Sequence, residues 1–202
     1  MEIYKIALKS ARNPNNFVVT TSEGEKFLHS DVIVKFGVVV GEFDDDKFCL
    51  AERESQNIFA WNDCLKYVSS KIKTQKQIKD WLYKKGYITP VINETLKKLA
   101  DYGVVDDSVF VKSYVSSNPN FSKKKLKQKL FSAGVKQDSF EDILDEKDDG
   151  EGCLVNAKKY LKNKVINKET IEKLTRRLIG QGYTWDTIKS VINELRLEYE
   201  ED

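Results

Sequence analysis

The sequence predicts a mainly α-helical protein built from tandem three-helix repeats, three units on a 48-residue period, preceded by a small β-rich N-terminal region. Three observations carry that prediction. Ile78, Leu82, Gly86, Tyr87, Ile92 and Leu96 are matched 48 residues later by Leu126, Leu130, Gly134, Val135, Phe140 and Leu144. A further 48 residues on stand Leu174, Leu178, Gly182, Tyr183, Ile188 and Ile192. Each position keeps its apolar or glycine character without an insertion, and a fixed period of roughly 20–50 residues marks stacked-repeat architectures. Second, every copy carries the same punctuation. Apolar residues stand at i and i+4, a glycine suits the left-handed position after the helix, and an apolar residue follows it. Third, the opening segment lacks this period and instead holds short runs of Ile, Val, Tyr and Phe, which favour strands.

Residues 1–52 form the β-rich region. EIYKIAL and NFVVTT read as strands, and KFLHS follows a turn signal at Glu23-Gly24. DVIVKFG (31–37) reads as a short helix or strand that stops at Gly37. Residues 53–105 are the first repeat, with a helix over 57–70, a second opened by a capping box at Thr74 and Gln77, and a third where Thr89-Pro90 places proline at its start. Residues 106–151 are the second repeat. A helix over 106–117 precedes SKKKLKQKLFSAGV (122–135), and Asp138 with Glu141 resembles a capping box for the third helix. Residues 152–202 are the third repeat, with a first helix over 153–163. One such unit alone has little core, so the stack is the expected folding unit.

Composition narrows the function. Charged residues make up 33% of the 202, yet 34 basic and 32 acidic side chains leave a net charge of only +2. That balance reads as a soluble helical protein and not as a coat for nucleic acid. Cys49, Cys64 and Cys153 are distant from one another and odd in number, which points to reduced thiols. MEIYKIALKSARNP has no apolar core of a signal peptide, and no apolar run approaches the roughly 20 residues that span a bilayer. A cytoplasmic location without membrane association is expected. His29 is the sole histidine, so histidine-based catalysis and a zinc site lack their parts. Gly86, Gly134 and Gly182 stand in no phosphate-loop spacing and read as helix caps. Asp44, Asp45 and Asp46, and Asp148 with Asp149, lack the spacing of a calcium loop and read as solvated loops. No catalytic residue, cofactor or metal is expected. Among the aromatics, Tyr87 and Tyr183 occupy the repeat's apolar position and read as core, whereas Trp185 is the one expected at the surface.

The basic residues are the candidate binding groups. Lys123, Lys124, Lys125, Lys127 and Lys129 crowd one helix of the second repeat. Lys158, Lys159, Lys162, Lys164, Arg176 and Arg177 mark the third, and Lys84 and Lys85 the first. Basic residues in each repeat suit an extended polyanion or an extended acidic partner, and spacing alone does not choose between them. A rival use for the lysines lies close by, because DSFEDILDEKDDGE (138–151) holds eight acids and one lysine.

TQKQIKDWLYKKGY (74–87) followed by LADYGVVDDSVFVKSYV (99–115) resembles the RecX family, regulators of the RecA recombinase. The likeness rests on Thr74, Ile78, Leu82, Gly86 and Tyr87, then on Leu99, Gly103, an aspartate cap at Asp107, Phe110 and Tyr114. LTRRLIGQGYTWDTIKSVI (174–192) looks like the family's last repeat, and VIVKFGVVVGEFDDDKF is similar to an N-terminal extension of many members. The resemblance spans essentially the whole chain. It implies a curved, elongated array of three-helix units with a non-enzymatic role in DNA repair and the SOS response. Such a protein binds the RecA–single-stranded-DNA filament in its groove and modulates, mainly by inhibition, its recombinase, ATPase and coprotease activities. A monomer with weak, non-specific affinity for free DNA is the corresponding expectation. Some members with this extension run on through a further repeat, whereas RLEYEED (196–202) closes this sequence. The alternative is a direct DNA-binding protein using helix-turn-helix-like units. Asn93, Asn193 and Arg196 are the base-reading types that the corresponding segments offer.

Overall fold

The computed structural model describes residues 1–200; Glu201 and Asp202, the end of the acidic closing stretch, lie outside the described residues. The chain falls into two compact units, Met1–Val105 and the part from Asp106 onward.

In the first unit the expected strands form an antiparallel sheet. β1 (Glu2–Leu8), β2 (Asn16–Thr21), β3 (Gly24–His29) and a two-residue β4 (Gly41–Glu42) take the order β3-β2-β1-β4. Ile3, Val19 and Leu28 are buried on it against α1 (Ser30–Phe36) and α2 (Asp45–Val68). DVIVKFG is thus a helix, ended by Gly37 at φ 63°. His29 has a structural duty: its Nδ1 accepts the Asp31 N–H at 3.3 Å as the N-cap of α1, and its own N–H donates to Ser55 Oγ at 3.0 Å.

The first helix of repeat 1 departs from expectation. It begins at Asp45, not near residue 57, and runs 24 residues without a break across position 52. The acids read as a solvated loop are its start: Asp44 Oδ1 accepts the Lys47 N–H at 2.7 Å, with Asp45 and Asp46 in the first turn. At about 1.5 Å per residue α2 is roughly 36 Å long. Phe48 and Ala51 therefore reach the sheet's core, while Ala60 and Cys64 belong to the core of the repeat. That second core is closed by α3 (Gln75–Lys84) and α4 (Thr89–Asp101), which bury Ile78, Leu82, Val91, Ile92 and Leu99. The Thr74–Gln77 capping box forms at 3.1 and 3.2 Å. Pro90 stands one residue further into α4 than expected, because the N-cap is Ile88.

The second unit holds two further helix triplets. α5 (Asp107–Ser116) is capped by Asp106, one residue before the expected Asp107, through the Ser108 N–H at 2.7 Å. α6 (Lys123–Ser132) buries Leu126 and Leu130 as the spacing requires. The capping box expected at Asp138 and Glu141 is absent. Gln137–Ser139 is a 3₁₀ turn, Phe140 at φ −136°, ψ −6° interrupts it, and α7 covers only Glu141–Asp145. Two causes act together. Glu141 and Asp145, like Asp142 and Glu146, are same-sign pairs four apart, which oppose a helix. In addition, Glu141 Oε1 accepts the Gln137 side-chain amide at 2.7 Å and so is not available to close a box. α8 (Gly150–Leu161), α9 (Lys168–Gly180) and α10 (Trp185–Glu200) enclose the last core, with Cys153, Leu174, Leu178, Tyr183 and Ile188 buried.

The period rests on one repeated helix ending. Gly86, Gly134 and Gly182 lie at φ 88°, 84° and 90°. Behind them Tyr87, Val135 and Tyr183 donate their N–H to Leu82, Leu130 and Leu178 carbonyls at 3.1–3.2 Å, the long bond of a Schellman motif.

Candidate nucleic-acid interface

The five lysines of α6 point away from its Leu126–Leu130 stripe and meet three fates. Lys123 is built into the fold: its N–H donates to the Asp149 carboxylate at 3.0 and 3.1 Å, and its Nζ donates to the Asp145 carbonyl at 2.9 Å. Lys125 and Lys127 lie over the rings of Phe121 and Phe131, with Nζ 3.8 and 5.9 Å from the centroids. Lys124 and Lys129 are exposed. Among the described residues none of these five ammonium groups forms an ion pair with the acids of 138–151; Asp149 pairs with Lys147 instead, at 3.1 Å. The nearby acids shape the helix start and leave the lysine charges unpaired.

Asp149 is therefore no solvated loop residue. Its carboxylate sits, largely buried, at the N-terminus of α6, where it meets the positive end of the helix dipole. Ser122 Oγ, the N-cap, accepts the Lys125 N–H at 3.2 Å and donates to the Gln181 carbonyl at 2.7 Å. Tyr183 completes this joint between the second and third triplets: its O–H donates to the Asn120 carbonyl at 2.7 Å and accepts from Asn156 at 2.9 Å. Burial pushes the Tyr183 hydroxyl up to about 12, so it stays a neutral donor.

The basic residues of the third triplet are dispersed by the fold. Lys158 pairs with Glu198 at 2.8 Å. Lys164 and Arg177 flank the Tyr160 ring, at 3.3 and 5.7 Å from its centroid. Lys159 and Lys162 are exposed. In the first unit Lys84 is exposed, while Lys85 lies 3.7 Å from Asp63 and 5.2 Å from the Trp81 ring. Of the thirteen candidates, Arg176 lines a groove of about 710 Å³ between α9 and α10, and Lys85 lines a hollow of the first unit.

That groove contains groups the charge runs did not single out. Lys168 joins Arg176 on α9; Lys189 and Arg196 come from α10. Trp185, 61% exposed, stands at its edge as the sequence suggested. The signal was present in the spacing, because residues 185, 189, 193 and 196 share one helical face. It was hidden by intervening acids, which dilute the charge of the linear stretch. None of the four cations is in an ion pair among the described residues, and Glu172 is the only acid lining the groove.

Burial, with the charge of Asp63, pushes Cys64 up to about 12, and burial with Asp149 pushes Cys153 to about 11, so neither thiol is a ready nucleophile. No cluster of three metal-ligating side chains occurs among the described residues, and no described helix is long and apolar enough to cross a membrane.

Known proteins share this fold. The family description "RecX, first three-helix domain" matches residues 60–99, the segment from the end of α2 through α4. A protein named Regulatory protein RecX from Clostridium tetani is 26% identical across 96% of this chain and 94% of its own. Its namesake from Bacillus subtilis is also 26% identical, over 95% of this chain and 76% of its own length. In solved structures, the fold matches a crystal structure of regulatory protein RecX with a TM-score of 0.69 at 19% identity, covering 95% of this chain and 98% of that one. RecX from Lactobacillus salivarius matches with a TM-score of 0.63 at 24% identity over 70% of this chain and 97% of that chain.

Proposed function

The chain belongs to the RecX family of regulatory proteins, and from that premise we propose that it binds the RecA–single-stranded-DNA filament and restrains it without catalysing a reaction of its own. The observation that carries the proposal is the α6 surface. Lys124, Lys125, Lys127 and Lys129 remain unpaired beside a strongly acidic segment that had the charge to neutralise them. Unpaired charge on a packed helix is either a solvated face or a contact surface, and a nucleoprotein filament offers it phosphates and acidic side chains together.

The test is RecA-dependent ATP hydrolysis on single-stranded DNA, titrated with the protein. The rate should fall as the protein approaches stoichiometry with the filament; a rate that stays constant would remove this reading. A second reading, direct DNA binding by helix-turn-helix-like units, draws on Asn193 and Arg196 in the α9–α10 groove. It requires a duplex sequence preferred by about 10³-fold over random DNA, the scale of specific readers.

A further inference from the structure

The first unit has a hollow of about 740 Å³, lined by residues of β3, α2 and the α3 ending among others, but its four lysines are mixed with three acids. Lys26 meets Glu52 at 3.5 Å and Lys85 meets Asp63 at 3.7 Å, both on its wall. The groove between α9 and α10 is different in kind. Its walls are two helical faces, with Ile171, Ile188 and Ile192 as an apolar floor and Lys168, Arg176, Lys189 and Arg196 along the rims. Trp185 presents its indole at one end, beside the short turn that links the two helices.

We propose that this groove is a binding site for single-stranded DNA, in which a base stacks on Trp185 and the phosphate backbone follows Arg176, Lys189 and Arg196. Three features select that ligand. Unpaired cations attract a polyanion, and their release of counterions gives affinity without sequence preference. An exposed indole next to guanidinium groups is the platform on which unpaired bases stack, a contact every base can make. Finally, the span from Trp185 to Arg196 is about 16 Å at 1.5 Å per residue, room for several nucleotides at the roughly 3.4 Å spacing of a stacked strand. A duplex keeps its base faces covered and would leave the indole idle. An acidic peptide would use the cations and give the indole nothing flat to stack against. The proposal deepens the filament reading, since it rests on that reading to place the strand within a RecA complex, but its own evidence is the groove.

The experiment titrates a fluorescently labelled 20-nucleotide oligothymidine with the full chain at low salt and follows anisotropy. Trp185→Ala should weaken binding by about 10-fold, within the range of roughly 5–150-fold that loss of one stacked base entails. Arg176→Gln with Arg196→Gln should lower the slope of log affinity against log salt by about 1.4, at 0.7 for each phosphate contact on a single strand. Both variants should keep the wild-type melting curve, because these side chains are exposed. Wild-type affinity in Trp185→Ala, or an equal loss on a 20-base-pair duplex, would overturn the assignment. So would unchanged oligonucleotide affinity together with lost binding to DNA-free RecA, which would give the groove to an acidic protein segment. The ATPase titration separates the two claims. If the wild type leaves RecA hydrolysis unaltered, the filament reading fails whatever the groove binds. If it slows hydrolysis while Trp185→Ala binds the oligonucleotide normally, only the groove fails.

Discussion

Gly134 and Gly182 hold the same left-handed conformation, φ 84° and 90°, in very different surroundings. A Cβ on Gly134 would meet nothing within 4 Å, whereas one on Gly182 would lie 2.8 Å from Ser122 Oγ and 3.3 Å from Lys124 Cβ. Gly134→Ala should therefore cost about 1 kcal/mol, the backbone price of a side chain in that region. Gly182→Ala should cost clearly more, because it also pushes the α6 N-cap away from the Gln181 carbonyl. Urea denaturation of the two variants checks the order, and equal losses would mean that the Ser122 joint gives way freely. Tyr183, 4% exposed, offers a second reading of the same joint. Burial lifts its folded value to about 12, above the roughly 10 of a free tyrosine, so the neutral phenol is the form that the fold favours. That stability is complete below pH 10 and is lost as pH rises towards 12, about 2–3 kcal/mol in all. Tyr183→Phe should be less stable at pH 7, having lost the phenol's bonds to the Asn120 carbonyl and from the Asn156 amide and left that carbonyl with the Asn156 amide alone at 2.9 Å, and should show a shallower alkaline decline than the wild type.

At the scale of elements, α6 separates core from surface along one helix. Leu130 is wholly buried, so Leu130→Ala should destabilise by about 2–5 kcal/mol. Replacing Lys124, Lys125, Lys127 and Lys129 together with Gln should cost no more than about 1–2 kcal/mol, since Lys124 and Lys129 are exposed, the ring contacts of half-buried Lys125 and Lys127 are worth about 0.5–1 kcal/mol each, and Gln is a comparable helix former. The quadruple variant should keep its circular dichroism and lose its effect on RecA ATPase. Lys123 is left in place because its Nζ holds the Asp145 carbonyl. This helix was legible in its Leu126–Leu130 stripe and its Gly134 stop, which are local signals, whereas its N-cap at Ser122 was not singled out. What else was not legible depended on long-range contacts. The early start of α2 is decided by Phe48 and Ala51 packing on the sheet, which no helical period announces. The collapse of the third helix of repeat 2 into α7 reflects charge repulsion that an apolar template at Phe140 and Leu144 does not register. Likewise, lysine runs located the α6 surface, but the α9–α10 groove needed the helical faces to be brought together before its cations became neighbours.

For the molecule as a whole, charge distribution and total charge give opposite forecasts, and the two compact units make the conflict testable. Residues 1–105 carry 16 basic and 14 acidic side chains, while residues 106–202 carry 18 of each. If non-specific attraction to nucleic acid followed net charge, the first unit would be the better binder. Most of the candidate groups, including the α6 lysines and the α9–α10 groove, nevertheless lie in the neutral second unit. Local potential governs contact at distances near the Debye length of about 8–10 Å, so acids that are capped into helix starts or paired elsewhere subtract little from a basic face. Each unit has its own buried cores, the first around Leu28 and Leu82, the second around Leu130 and Leu178. Fragments 1–105 and 106–202 should accordingly each melt cooperatively when expressed alone. Fragment 106–202 should retain most of the full chain's affinity for oligothymidine and most of its salt dependence, despite a net charge of zero. Fragment 1–105 should bind far more weakly at the same ionic strength. Tighter binding by fragment 1–105 would place the nucleic-acid surface on the first repeat, at Lys84 and the unpaired lysines around it, and would move the search away from both α6 and the groove.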